Sequence, residues 1–150
     1  MRGLPGSGKS FLAKEICDRV KAEGVIKIST DDIWETPPNN EYLWIGELIG
    51  AAHRISQAKA REACKREIPH VIIDNTNTIF KEIEPYIRIA EENGYEVEFV
   101  QSKTSWAFDI DQCTKRNSHS VPREVIEKMA NRFESHESVL EKYKNYSIEM

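Results

Sequence analysis

Residues 3–10 read G-L-P-G-S-G-K-S, the phosphate loop G-x-x-x-x-G-K-[ST], and only Met1 and Arg2 precede it. Such a loop leaves the C-terminal end of a buried strand and opens a helix. The chain is therefore expected to be α/β, a three-layer P-loop sandwich on a mostly parallel sheet. The same feature poses a problem, because two residues cannot make the strand that should carry the loop.

The rest of the chain supports the class. Phe11, Leu12, Ile16 and Val20 recur at helical spacing with Gly24 behind them, which predicts a helix over Lys9–Glu23. "VIKIS" (Val25–Ser29) and "HVIID" (His70–Asp74) are short β-branched runs and read as buried strands. "TPPNN" (Thr36–Asn40) is a loop, and a long helix is expected over Leu43–Lys65. Thr78 caps the next helix, with Pro85 expected in its first turn and Asn93-Gly94 at its end. "YEVEFV" (Tyr95–Val100) predicts a third strand. Helices are expected over Trp106–Lys115 and Arg123–Glu134, with a short one near Val139–Tyr143. At 150 residues without a linker, one domain spanning 1–150 is expected.

Three strands make a poor parallel sheet. Each buried aliphatic side chain contributes about 1.5–3 kcal/mol, so a lost central strand costs roughly what a whole domain has to spare, ~5–15 kcal/mol. The expectation is a shortened form of a longer product, with the first strand truncated, or a sheet whose central slot is filled differently.

Four segments carry chemistry. In the loop, Gly3, Pro5, Gly6, Ser7, Gly8, Lys9 and Ser10, with Phe11 next in line, are the expected ATP contacts. Lys9 bridges the β- and γ-phosphates and Ser10 holds Mg²⁺ through its hydroxyl. "STDD" (Ser29–Asp32) ends the second strand, where carboxylates face the ligand crevice of a parallel sheet. Asp31 there can take the proton of an attacking hydroxyl and Asp32 can touch the acceptor, unless either acid only caps the following turn. "VIIDNTN" (Val71–Asn77) is an apolar strand ending in an acid. Asp74 is expected on Mg²⁺ or its water, and Asn75, Thr76 and Asn77 on substrate, the alternative being an Asx turn. Last, "KRNSHSVPREVIEKM" (Lys115–Met129) puts Arg116, His119 and Arg123 around a polar break between two helices, which reads as a lid over about 104–123. Arg116 is the arginine expected on the transferring group, and Arg123 is second. Trp106 and Phe108 are expected to pack the lid. Trp34 and Trp44 are read as loop or core anchors, and His53 as a packed or surface histidine.

The balance of charge limits the partners. The net charge of −4 makes the whole protein no nucleic-acid magnet, so any polyanion site must be a local basic patch. No apolar run reaches the ~18 residues of a membrane span, and no membrane partner is expected. The chain enters the glycine loop at once, so no signal peptide is expected. Cys17, Cys64 and Cys113 have no metal-ligand spacing and read as reduced thiols of a cytoplasmic or nuclear protein.

In series, "RGLPGSGKS", "STDD", Ala51–His53, "VIIDNTNT", "GYEVEF" and "RNSHSVPREVIEKM" resemble the phage-type polynucleotide 5′-hydroxyl kinase family of P-loop kinases. The nearer likeness is to its cellular kinase-like ATP-binding relatives, found attached to a ubiquitin-ligase-binding protein. The resemblance implies transfer of the γ-phosphoryl group of ATP to a hydroxyl with Mg²⁺. It implies Lys9 and Ser10 as the phosphate and metal pair, Asp31 as general base and Arg116 as a lid arginine. Three positions depart from the family. Trp34 and Ser120 stand where the phage enzymes carry arginines, and Asn75 where they carry an acid. All three would touch the acceptor, so donor chemistry is better supported than a single-stranded nucleic-acid end as acceptor. A small-molecule hydroxyl kinase, or an ATP-binding interaction module with little turnover, stays open. No protein partner can be named from the residues.

Overall fold

The computed structural model describes residues 1–36, 41–42 and 49–149. Most of the "TPPNN" loop, Trp44 and the expected start of the long helix at Leu43 lie outside the described residues, as does the side chain of Trp34. The elements are α1 (Lys9–Val20), β1 (Val25–Ile28), α2 (Asp31–Trp34), β2 (Glu35–Thr36), β3 (Glu41–Tyr42), α3 (Ile49–Lys65), β4 (His70–Ile73), α4 (Phe80–Glu92), α5 (Ile110–Arg116), α6 (Arg123–Arg132) and α7 (His136–Glu149). The chain is thus mixed α/β with a small parallel sheet, as the phosphate loop requires. No helix among the described residues is long and apolar enough to cross a membrane.

Two compact units divide it: one of Met1–Lys9, Thr76–Glu84 and the described residues from Glu98 on, the other of Ser10–Asn75 and Pro85–Val97. In the second, β1 and β4 pair in parallel with Val25 opposite His70 and Ile28 opposite Ile73. The Asp74 N–H continues the pairing onto the Ile28 carbonyl at 2.8 Å. The two strands and α3 share a core of Ile28, Ala60, Ala63, Cys64, Tyr86 and Ile89. α3 buries Ala52, Ser56, Ala60, Ala63 and Cys64, a stripe of small residues at helical spacing. β2 and β3 form a separate two-residue antiparallel pair.

The first unit is built around Leu4, Cys113 and Ile126, with Trp106, Ile110, Val121, Met129, Ala130 and Phe133 packed on them. Asp109 caps α5 by accepting the Gln112 N–H at 3.0 Å. The thiols of Cys17, Cys64 and Cys113 are free. Burial pushes the Cys113 and Cys64 thiols up, which leaves them little thiolate.

Four sequence expectations change. The third strand, Tyr95–Val100, forms no ladder among the described residues; the pairing there is one parallel bridge, Arg2 to Gln101. A strand needs a neighbour along its length, and this one meets a single residue. The Arg2 N–H donates to Val100 at 2.8 Å and the Ser102 N–H to Arg2 at 3.3 Å. Second, Pro85 sits inside α4 rather than in its first turn. The helix starts upstream because Glu82 accepts both the Thr78 N–H (3.0 Å) and the Thr78 hydroxyl (2.8 Å), fixing the entry ahead of Phe80. Third, Trp106 lies in a turn, and α5 begins only at its Asp109 cap. Fourth, α7 is 14 residues long. Ser135 accepts the Ser138 N–H at its start, Val139 is fully buried, and Tyr143 and Tyr146 meet Phe99 and Phe80 edge-on.

Candidate functional site

The phosphate loop is fixed from outside by its carbonyls. Ser102 and Thr104 hydroxyls both donate to the Ser7 carbonyl, at 2.5 and 2.7 Å, and the Trp106 indole N–H donates to the Gly6 carbonyl at 3.1 Å. Carbonyls turned toward residues 102–106 suit a turn whose remaining amides form an anion-binding nest, while the Gly3 and Ser7 N–H groups bond the Thr76 and Leu4 carbonyls at 3.1 Å each. Leu4, fully buried, pins the loop in the core of its unit. Gly6 has φ +77°, and a Cβ there would lie 2.8 Å from the Asn117 nitrogen and closer still to the Cys113 carbonyl. Only glycine fits both the angle and the approach of α5. Lys9 is buried at the N-terminus of α1. Ser7 Oγ is buried with no hydrogen-bond partner, an orphaned hydroxyl within the loop. A donor-rich turn, a buried lysine and an orphaned hydroxyl fit a nucleotide phosphate.

The strand ends of the other unit form a second cluster. The Ser10 hydroxyl lies 3.3 Å from Asp74 Oδ2, and Lys27 Nζ lies 3.7 Å from the same oxygen. Asp74 is 1% exposed. A hydroxyl and a carboxylate are hard oxygen donors and fit Mg²⁺. Among the described residues no three His, Cys, Asp or Glu gather as a metal cage. An ion here would therefore take its remaining ligands from phosphate and water, as Mg²⁺ does in nucleotide sites. Asp31 begins α2 half-buried, and its N–H donates to Ser29 Oγ at 3.2 Å. Asp32 is exposed.

The three residues after Asp74 divide their roles. Asn75 is buried; its Oδ1 accepts the Thr30 N–H (2.9 Å) and hydroxyl (3.1 Å), and its Nδ2 donates to the Tyr86 hydroxyl at 3.4 Å. Thr76 accepts the Gly3 N–H through its carbonyl at 3.1 Å. Asn77 is buried and donates to the Met1 carbonyl at 2.8 Å. The amides of Asn75 and Asn77 thus have partners within the chain.

Arg116 is exposed. Its guanidinium lies over the Trp106 ring at 3.9 Å, and its Nε donates to Gln112 at 3.3 Å. It therefore sits on the residue that grips Gly6. Arg123 pairs with Asp111 and Glu127 on the surface. Phe11 is 69% exposed on α1. Pro5 and Gly8 complete the loop.

Sequence reasoning missed five contributors. Arg2 is 1% exposed; it donates to the carbonyls of Asn77 (3.0 Å), Thr78 (3.1 Å) and Glu134 (2.7 Å) and stacks on Phe133 at 4.4 Å. Ser102 and Thr104 brace the loop, and Lys27 and Tyr86 belong to the strand-end cluster. A signal existed for two of them. "SKTSW" follows the strand-like "YEVEFV" after one residue, Gln101, so strand-end logic like that applied to "STDD" would have found Ser102 and Thr104.

Residues 1–136 match the AAA domain family AAA_33. The chain is 38% identical to human NEDD4-binding protein 2 over 93% of its own length and 8% of that protein's. It is 29% identical to 2′,3′-cyclic-nucleotide 3′-phosphodiesterase of Pongo abelii, covering 86% of this chain and 29% of that enzyme. It is also 29% identical to human YLP motif-containing protein 1, over 90% of this chain and 7% of that protein. The chain therefore spans a minor part of each relative. With a phosphate loop braced as described and a family match over nearly all its length, the chain belongs to the AAA domain family AAA_33 and is a P-loop domain of the nucleotide-binding kind.

Proposed function

We propose that this chain is an ATP-dependent phosphotransferase that moves the γ-phosphoryl group to a hydroxyl, with the 5′-hydroxyl of a polynucleotide as the favoured acceptor. One observation carries the reading: the Gly6 and Ser7 carbonyls are held back by Ser102, Thr104 and Trp106, so the loop is preorganised for an anion. Lys9 at the start of α1 adds a positive charge for the β- and γ-phosphates. Ser10 and Asp74 would hold Mg²⁺, which neutralises charge on the phosphates when bound. Asp31 orients the acceptor hydroxyl and takes its proton. Arg116 leaves its place on Trp106 to stabilise charge on the transferring group. The test is transfer of labelled γ-phosphate from ATP to 5′-hydroxyl oligonucleotides, with small polyols and nucleosides as competing acceptors. Label on the oligonucleotide supports the reading; label on a small acceptor alone moves it to a small-molecule kinase.

A second reading has its own support. The side chains of Asn75 and Asn77 are occupied within the chain, which weakens the acceptor side. An ATP-binding interaction module needs only the loop, and one relative carries a protein partner in its name. Tight ATP binding with no transfer to any acceptor would favour it.

A further inference from the structure

A line of hydrogen bonds, buried at its α3 end, runs through one unit from α3 to the strand end that carries Asp31. It starts at Ser56, which is fully buried in mid-α3. The Tyr86 hydroxyl, from α4, donates to Ser56 Oγ at 2.9 Å. Asn75 Nδ2 donates to the same phenol oxygen, and Asn75 Oδ1 receives the Thr30 N–H and hydroxyl. The polarity of the line is forced. A backbone N–H can only donate, so the oxygen of the Asn75 amide must face Thr30 and its NH₂ must face Tyr86. Tyr86 then accepts from Asn75, and its own proton is directed to Ser56.

We propose that Tyr86 and Ser56 are positioning residues for the Thr30–Asp31 strand end, acting through Asn75. The proposal rests on the reading of Asp31 as general base. Thr30 is the residue directly before Asp31, and it is held by two bonds to one amide oxygen. That oxygen stays in place only while the other end of the amide has an acceptor. Burial pushes the Tyr86 phenol up, which keeps it protonated and so keeps the line in one polarity at physiological pH. An Asn at 75 suits this task better than a carboxylate, which has no N–H to anchor on Tyr86.

The experiment compares the wild type with Tyr86→Phe, Ser56→Ala and the double variant by three readouts. These are single-turnover transfer from ATP to a 5′-hydroxyl oligonucleotide, ATP affinity, and amide hydrogen exchange at Thr30. Tyr86→Phe should slow transfer by about tenfold and speed Thr30 exchange by a similar factor, the scale of one buried hydrogen bond. ATP affinity should stay within about twofold, because the phosphate loop does not share this line. Ser56→Ala should act in the same direction and less strongly. In the double variant it should add nothing, since without the phenol hydroxyl Ser56 no longer reaches Asn75. Should Tyr86→Phe fail to fold, Ser56→Ala alone decides. Unchanged Thr30 exchange overturns the proposal, as does a loss of ATP affinity equal to the loss of rate. Strictly additive losses in the double variant overturn it too. If the wild type transfers nothing, or Asp31→Asn transfers normally, the functional reading has failed; Thr30 exchange then decides the positioning line by itself, faster in the variants if it exists and unchanged if it does not.

Discussion

The phosphate loop and the strand end at Thr30–Asn75 hold their shapes by different means. In the loop, side chains from residues 102–106 grip backbone carbonyls, and the polar hold on the turn is on main-chain atoms. At the strand end, side chain meets side chain in a line of fixed polarity through Asn75. A backbone-held loop is broken by adding atoms where there is no room. A side-chain line is broken by removing one polar atom. The two regions should therefore fail to different substitutions, and that contrast can be tested.

The largest effect is expected from one added carbon in the loop. Gly6→Ala would set a methyl group against the Cys113 carbonyl and the Asn117 nitrogen, both of them backbone that cannot rotate away. It would also hold a non-glycine residue at φ +77°. ATP binding should be lost, and the thermal midpoint should fall by several degrees. Gly94 has the same φ, +77°, with nothing within 4 Å of its would-be Cβ, so Gly94→Ala isolates the backbone strain of about 1–2 kcal/mol. Equal melting shifts in the two variants would mean that the contact with α5 contributes nothing, and the backbone account of the loop would fail.

At the strand end the corresponding change is Asp31→Asn, which keeps shape and removes the base. Transfer should fall about 10²–10⁴-fold with ATP affinity nearly intact. Asp32→Asn should do less, since Asp32 is exposed at the second position of α2. If Asp32→Asn is the slow variant, the base is one residue further on.

The same contrast explains what was legible in the sequence. The loop could be read from eight residues because its chemistry is local backbone chemistry that glycines and a lysine announce. β1 and β4 were read to within a residue, since β-branched runs between turn signals leave few alternatives. The segment Tyr95–Val100 has equally good strand composition, but a ladder depends on a distant partner that composition does not encode. Arg2 was invisible for a related reason. A charged residue beside a motif reads as surface, and only the fold reveals three carbonyls converging on it. Asn75 was legible as polar and near the crevice; whether it faces substrate or Tyr86 depended on α3 and α4, far away in sequence.

Arg2 extends the comparison to a buried guanidinium that holds backbone, as residues 102–106 do. Arg2→Met keeps much of the volume and takes the guanidinium donor from the Asn77 and Glu134 carbonyls, while the Thr78 carbonyl keeps the Glu134 N–H at 2.8 Å. A buried polar group left unpaired costs about 1–3 kcal/mol, and each kcal/mol lowers the midpoint of a chain this size by roughly 2–4 °C. Arg2→Lys should recover only part, because an ammonium cannot reproduce the fork or its stacking on Phe133. Full recovery by lysine would reduce Arg2 to a charge and not a bracket.

The smallest effect concerns Lys27 and probes the strand end by its charge. The Lys27 ammonium and the Ser10 hydroxyl share one oxygen of Asp74. Without a divalent ion, the Lys27 ammonium helps to compensate this buried carboxylate. Mg²⁺ bound near Ser10 and Asp74 would take over that role and push the ammonium aside. Lys27→Met removes the competitor, so two opposite changes are expected. The protein without Mg²⁺ should melt slightly earlier, while Mg²⁺ should bind more tightly and raise the midpoint by more than in the wild type. The lysine side chain is 37% exposed, so the pair is worth at most about 1 kcal/mol, and the gain in Mg²⁺ affinity should not exceed roughly fivefold. Thermal shift against Mg²⁺ concentration, with and without ATP, reads both changes. A drop in ATP affinity with Mg²⁺ affinity unchanged would instead make Lys27 a phosphate ligand, and the strand end would then bind anions as the loop does.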